Sequence, residues 1–226
     1  MAVPDKGADR LYLYHVQDTQ HIEQIRNITF LPGTGPRHLI FAEYSPTKTL
    51  MYLVGELDNT VSVFELSRPD TVCPTASSSL NDTLQITHLQ STSTLNSSNI
   101  RTEPKNDYLA SELALSNDGR FLHFSNRNTQ SVANVDSIAV FSVNPDRDQP
   151  LQFLGLNSTY GKIPRYFSLS SDCQSRFVAV ANEVTNDLYI MERHPTTGFL
   201  GDIVGNFTFG SLDLTTNLGP MAVIWN

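Results

Sequence analysis

Cysteine is scarce in this chain of 226 residues. There are two, Cys73 and Cys173, which excludes a disulfide framework and any cysteine-rich metal centre, while one bridge between them stays open. Histidines are few, and His15, His21, His88, His123 and His194 show no metal-ligand spacing. No apolar run approaches the ~20 residues of a membrane-spanning helix. Basic residues are outnumbered, giving a net charge of −8 with no basic stripe, so nucleic acid is not expected as a partner, nor a membrane. Stretches of helical period are missing as well. The start, Met1 to Arg10, lacks an apolar core and does not read as a signal peptide. No G-x-S-x-G elbow, P-loop or dinucleotide fingerprint occurs.

What the chain does have is short alternating runs broken by turn residues. Hydrophobic content of 39% and charged content of 17% suit a globular protein. Leu113 and Leu115 precede Asn117-Asp118-Gly119, Phe121, Leu122 and Phe124 follow it, and Ser137 to Val143 makes a third run. The Asn-Asp-Gly triplet is expected to supply the positive-φ residues of a tight hairpin. Three antiparallel strands in about thirty residues leave no room for a helix.

The pattern repeats. Asp9 to Tyr14, Asn59 to Phe64, Asp136 to Phe141 and Asn186 to Met191 align residue for residue. Each follows a strand ending in a polar pair: Pro4-Asp5, Gly55-Glu56, Asn126-Arg127 and Asn182-Glu183. Pro36, Pro164 and Pro220 begin strands in the same phase. Four strands in each ~50 residues is the signature of β-propeller blades, which stack about an axis because one blade cannot bury both faces. One interval is longer, and residues 67–107, rich in Ser, Thr, Asn and Pro, read mostly as a surface insertion with a weak strand near Leu84 to Leu89. The remainder reads as a single domain over 1–226. Five Asn-X-Ser/Thr sequons, at Asn27, Asn81, Asn96, Asn157 and Asn206, keep secretion open beside a cytoplasmic location.

At Gly35 to His38, Glu56 to Phe64, and Ser125 to Arg127 with Asp136 to Phe141, the sequence resembles the seven-bladed propeller lactonases. That family includes propeller-type 6-phosphogluconolactonase and fungal 3-carboxy-cis,cis-muconate cyclase. The resemblance covers essentially the whole chain and implies an all-β propeller. Seven blades of ~50 residues need roughly 350, so the expectation is an incomplete arc of about four blades matching the later part of the family. A family His-Pro-His segment has no counterpart here. Pro220 to Asn226 resembles the family's closing strand, and an open arc would leave a blade edge available for self-association.

Arg37 opens an inner strand and Arg127 stands one blade later; two arginines at the axis could clamp a carboxylate or phosphate. The resemblance places family active-site arginines at both and a carboxylate at Glu56, expected to move a proton or orient an arginine. His38, Glu112 and Arg165 lie on inner strands or at their starts and are weaker substrate-binding candidates. His123 alternates within a strand and reads as structural, and Asn182-Glu183 as an ordinary blade loop. The implied substrate is a small anionic carboxylate or sugar-acid lactone, handled without metal or organic cofactor. Lactonisation of a muconate is the first expectation, opening of 6-phosphogluconolactone the second, and a non-catalytic propeller glycoprotein the third.

Overall fold

In the computed structural model, residues 1–16, 21–67, 84–95, 108–128, 136–210 and 219–225 are described. They form four antiparallel sheets and no helix. The first holds β1 (Ala2–Asp5), β2 (Arg10–Val16) and β3 (Ile22–Thr29). The second runs β4 (Pro36–Ser45), β5 (Lys48–Gly55), β6 (Thr60–Ser67) and β7 (Gln85–Ser93). The third holds β8 (Tyr108–Leu115), β9 (Phe121–Asn128), β10 (Ser137–Val143) and β11 (Leu151–Ser158). The fourth holds β12 (Pro164–Leu169), β13 (Phe177–Asn182), β14 (Asp187–Arg193) and β15 (Leu200–Thr208). Strands pair in chain order in every sheet, the meander of a propeller blade.

Burial follows the pleat. Side chains alternate across a strand, so a central blade strand with neighbours on both faces must be apolar throughout. In β5, Leu50, Tyr52 and Val54 pack toward the third sheet against Leu122, Phe124 and Phe141. Met51 and Leu53, between them, pack toward the first sheet against Leu11 and Leu13. Ile138 joins Phe167, Val178, Val180 and Met191 between the third and fourth sheets. Each such fully buried side chain contributes roughly 1.5–3 kcal/mol.

A second device joins the blades. Asp9, Asn59 and Asn186 all turn the chain at positive φ, of 51°, 54° and 56°. Asp and Asn tolerate this region better than other side chains with a Cβ. Asp9 accepts from the amides of Gly33 (2.9 Å) and Gly35 (2.7 Å), just before β4. Asn59 donates to the Tyr108 carbonyl at the start of β8, at 2.7 Å. Asp136, the aligned residue one blade on, accepts from Ile163 just before β12, at 2.7 Å. One repeat position therefore grips the start of the next blade's inner strand.

Some expectations shift. Of Asn117, Asp118 and Gly119 only Gly119 has positive φ, at 70°. Ser116 supports the turn by accepting from the Gly119 amide and donating from its hydroxyl to Asp118. Within residues 67–107, Gln85–Ser93 is a full outer blade strand paired with β6; residues 68–83 and 96–107, with Cys73, Asn81 and Asn96, lie outside the described residues. Cys173 is an exposed free thiol. The segment from Pro220, expected as a closing strand, joins no ladder among the described residues. It lies along β12 through a Ser168 hydroxyl bond to the Val223 carbonyl (2.8 Å) and the Trp225 indole bond to the Ser168 carbonyl (3.1 Å). The inner edge of β1, away from β2, also has no ladder partner among the described residues.

Candidate active site

The inner strands share an irregularity. Pairing slips between Pro36 and Leu39 in β4, between Ala110 and Leu113 in β8, and between Pro164 and Tyr166 in β12. A bulge of this kind turns the chain locally and re-aims side chains. Arg37 and His38, Glu112, and Arg165 all sit in these slips. Ser111 ties two of them together, its hydroxyl donating to the Arg165 carbonyl at 2.9 Å.

The strand after each inner strand supplies the second ring of residues. Asp5, Gly55, Asn126 and Asn182 pair with the first residues of the following strands, so Lys6, Glu56, Arg127 and Glu183 occupy one repeat position in four successive blades. This common position at the axial end of the blade brings their charges together.

Glu56 is the hub, and only 2% exposed. Its Oε1 accepts from Lys6 Nζ and from Arg127 Nη2, each at 2.8 Å, and its Oε2 accepts from Arg37 Nη1 at 2.7 Å. Burial alone would raise its pKa, but the bonds from Lys6, Arg37 and Arg127 outweigh burial and hold the carboxyl at about 2. It is fully ionised at neutral pH and a weak base there. Arg127 also donates to the Ala110 carbonyl at 3.3 Å. The Nε atoms of Arg37 and Arg127 are buried and have no hydrogen-bond partner among the described residues.

Glu112 behaves in the opposite way. Burial pushes its carboxyl up to about 7, against the pull of the Leu113 amide and the Arg37 charge. Its Oε1 accepts from Leu113 N–H at 3.0 Å, and its Oε2 lies 4.0 Å from Nε2 of His38. The His38 imidazole is lowered, first by burial and then by the charge of Arg37, so it is neutral at pH 7. Arg165 reaches Glu183 at 3.6 Å and is close enough for its charge to bear on His38 and Arg127.

The three stronger sequence candidates, Arg37, Glu56 and Arg127, thus meet directly, and His38, Glu112 and Arg165 border them. Lys6 was missed from sequence, where Asp5 stood opposite Glu56 one residue out of register, and Glu183, read as part of an ordinary blade loop, instead pairs with Arg165. Lys6, Arg37, Arg127 and Arg165 face the carboxyl groups of Glu56, Glu112 and Glu183 here, so basic side chains outnumber acidic ones at the axis of an acidic protein. Clefts of about 240 Å³ beside Arg176 and His194 and about 280 Å³ beside Leu13 and Phe41 share no residue with this cluster. No cluster of metal-ligating side chains occurs among the described residues.

The family described as "Lactonase, 7-bladed beta-propeller" matches this chain over residues 1–213. The chain belongs to this family. It is 32% identical over 196 residues to a 6-phosphogluconolactonase of Bacillus subtilis, spanning 87% of this chain and 47% of that protein. A 6-phosphogluconolactonase of Formosa agariphila is 29% identical over 200 residues, spanning 87% and 48%. The solved periplasmic gluconolactonase of Pseudomonas aeruginosa superposes with a TM-score of 0.69 at 29% identity, over 93% of this chain and 51% of that one. The chain spans about half the length of the relatives it matches.

Proposed function

We propose that this lactonase-family chain contributes an axial site that opens the lactone of an anionic sugar acid, with 6-phosphogluconolactone as the type substrate. The observation that carries the reading is Glu56, buried and ionised, holding Lys6, Arg37 and Arg127 from three different blades in one fixed fan. A carboxylate so held orients the guanidinium groups, and the surplus charge attracts a phosphate or carboxylate. Glu56 then acts as a positioning residue, with Arg37, Arg127 and Arg165 gripping the substrate's anionic group.

The relatives named above are a gluconolactonase and 6-phosphogluconolactonases, which favours lactone opening over the muconate lactonisation first expected from sequence. The purified chain is tested by acid release from 6-phosphogluconolactone above the uncatalysed rate, and by ultraviolet absorbance of 3-carboxy-cis,cis-muconate. The expected result is acceleration of the first reaction only, with Arg37→Ala raising KM at least tenfold, about 1.4 kcal/mol of lost binding. Acceleration of the muconate reaction alone would restore the cyclase reading. A folded chain that accelerates neither would point to a non-catalytic propeller.

A further inference from the structure

We propose that Glu112, not Glu56, is the carboxyl that moves the proton in this site, with His38 as its positioning partner. The inference rests on the lactonase reading and deepens it. Glu56 matches the family carboxylate in sequence, but both of its oxygens already accept from cations at 2.7 to 2.8 Å and the side chain is buried, which makes it a weak base for a water. Glu112 differs in geometry. One oxygen is anchored by the Leu113 amide at 3.0 Å, and the other is directed at the His38 ring at 4.0 Å, across the gap between two neighbouring inner strands. A gap of that length takes no direct hydrogen bond and is wide enough to be bridged by a reacting group.

The surroundings of Glu112 are mixed. From β4 come Arg37 and His38 and from β12 comes Tyr166, while the charges of Arg127, Arg165 and Glu56 bear on His38. Arg37 is the cation that bears on Glu112 directly, and the Glu112 charge in turn raises the Tyr166 phenol, after burial. With Arg37 committed to Glu56, Glu112 has no cation bonded to it and keeps a basicity suited to neutral pH.

The chemistry closes without a co-reactant other than water. The Glu112 carboxylate removes a proton from water as its oxygen bonds to the lactone carbonyl carbon. The tetrahedral oxyanion collapses, the bond from that carbon to the ring oxygen breaks, and the ring oxygen takes the proton from Glu112. One water is consumed, nothing is oxidised or reduced, and the new carboxylic acid ionises into solvent. His38, neutral and beside the second oxygen, orients the water.

Glu112→Gln tests this, because the amide keeps an oxygen for the Leu113 amide and cannot accept the proton. The expected result is a kcat reduced at least 100-fold with KM within about threefold, and loss of the limb near pH 7 in the kcat profile. His38→Gln is expected to displace that limb and lower kcat less. Glu112→Asp, which retracts the carboxyl by one methylene, should retain the limb at lower kcat, and it serves if the amide variant does not fold. Undiminished kcat in Glu112→Gln overturns the assignment.

A second measurement separates this inference from the lactonase reading. Sulfate does not titrate between pH 6 and 8, so its affinity by calorimetry reports charge appearing in the site. The wild type should lose about fivefold over that range as Glu112 ionises, and Glu112→Gln should not. That difference supports Glu112 even if the chain opens no lactone, an outcome that sinks the reaction alone. Identical sulfate profiles in both proteins overturn the assignment of Glu112.

Discussion

Arg37 and Arg127 hold opposite oxygens of the same buried carboxylate, Arg37 on Oε2 of Glu56 at 2.7 Å and Arg127 on Oε1 at 2.8 Å. They come from neighbouring blades and neither touches the other. Glu56→Gln is therefore expected to leave two buried guanidinium groups under-compensated, costing roughly 3–5 kcal/mol in urea denaturation at pH 7. The pH window follows from sign. The folded pKa lies at about 2, below the ordinary 4.5, so this stabilisation is present above 4.5 and is lost as pH falls toward 2. The gap between wild type and Glu56→Gln should narrow by ~3 kcal/mol across that interval. A gap that is constant with pH would refute the ion-pair account.

Asp9 acts on the site from a distance. Its carboxylate holds the amides of Gly33 and Gly35, the turn that delivers Arg37 into β4. Gly35 has a φ of 62°, and a Cβ there would stand 2.5 Å from Leu57 Cγ, so the turn has one way to fit. Asp9→Asn tolerates the same positive φ and loses one acceptor oxygen. It should lower stability by ~1 kcal/mol and raise KM for an anionic lactone several-fold with kcat little changed. Asp9→Ala should cost about 2–3 kcal/mol, since it also places Ala in the left-handed region. Unchanged KM in both variants would uncouple this turn from Arg37.

His123 links folding stability to pH through its burial. It is fully buried, and its Nε2–H donates to the Gly198 carbonyl at 2.8 Å. Burial lowers its pKa to about 4 from 6.5, so the fold keeps it neutral while the unfolded chain protonates below 6.5. Stability is expected to fall as pH drops from 6.5 toward 4. His123→Leu should remove that slope while costing ~1–3 kcal/mol at pH 7 for the Gly198 carbonyl left unpaired. The check is a pair of denaturation series over pH 4 to 8, and an unaltered slope in the variant would refute it.

The sequence by itself determined the blade. The short apolar runs Leu50 to Val54 and Ile138 to Phe141, and the Asp or Asn at each repeat turn, are set by neighbours a few residues away, and such local constraints are visible in a single chain. The same register placed Glu56 and Arg127 in equivalent positions, but it held Asp5 where the structure puts Lys6 and left Glu183 as an ordinary loop residue. What only the tertiary structure decided is which charges touch. Whether a carboxyl loses or keeps its proton depends on burial and on the cations that the curvature of successive blades brings within 3 Å. Glu56 and Glu112, similar in sequence terms as acids near the axis, therefore part company: three cations close on Glu56, while Glu112 is buried with an amide and a neutral imidazole.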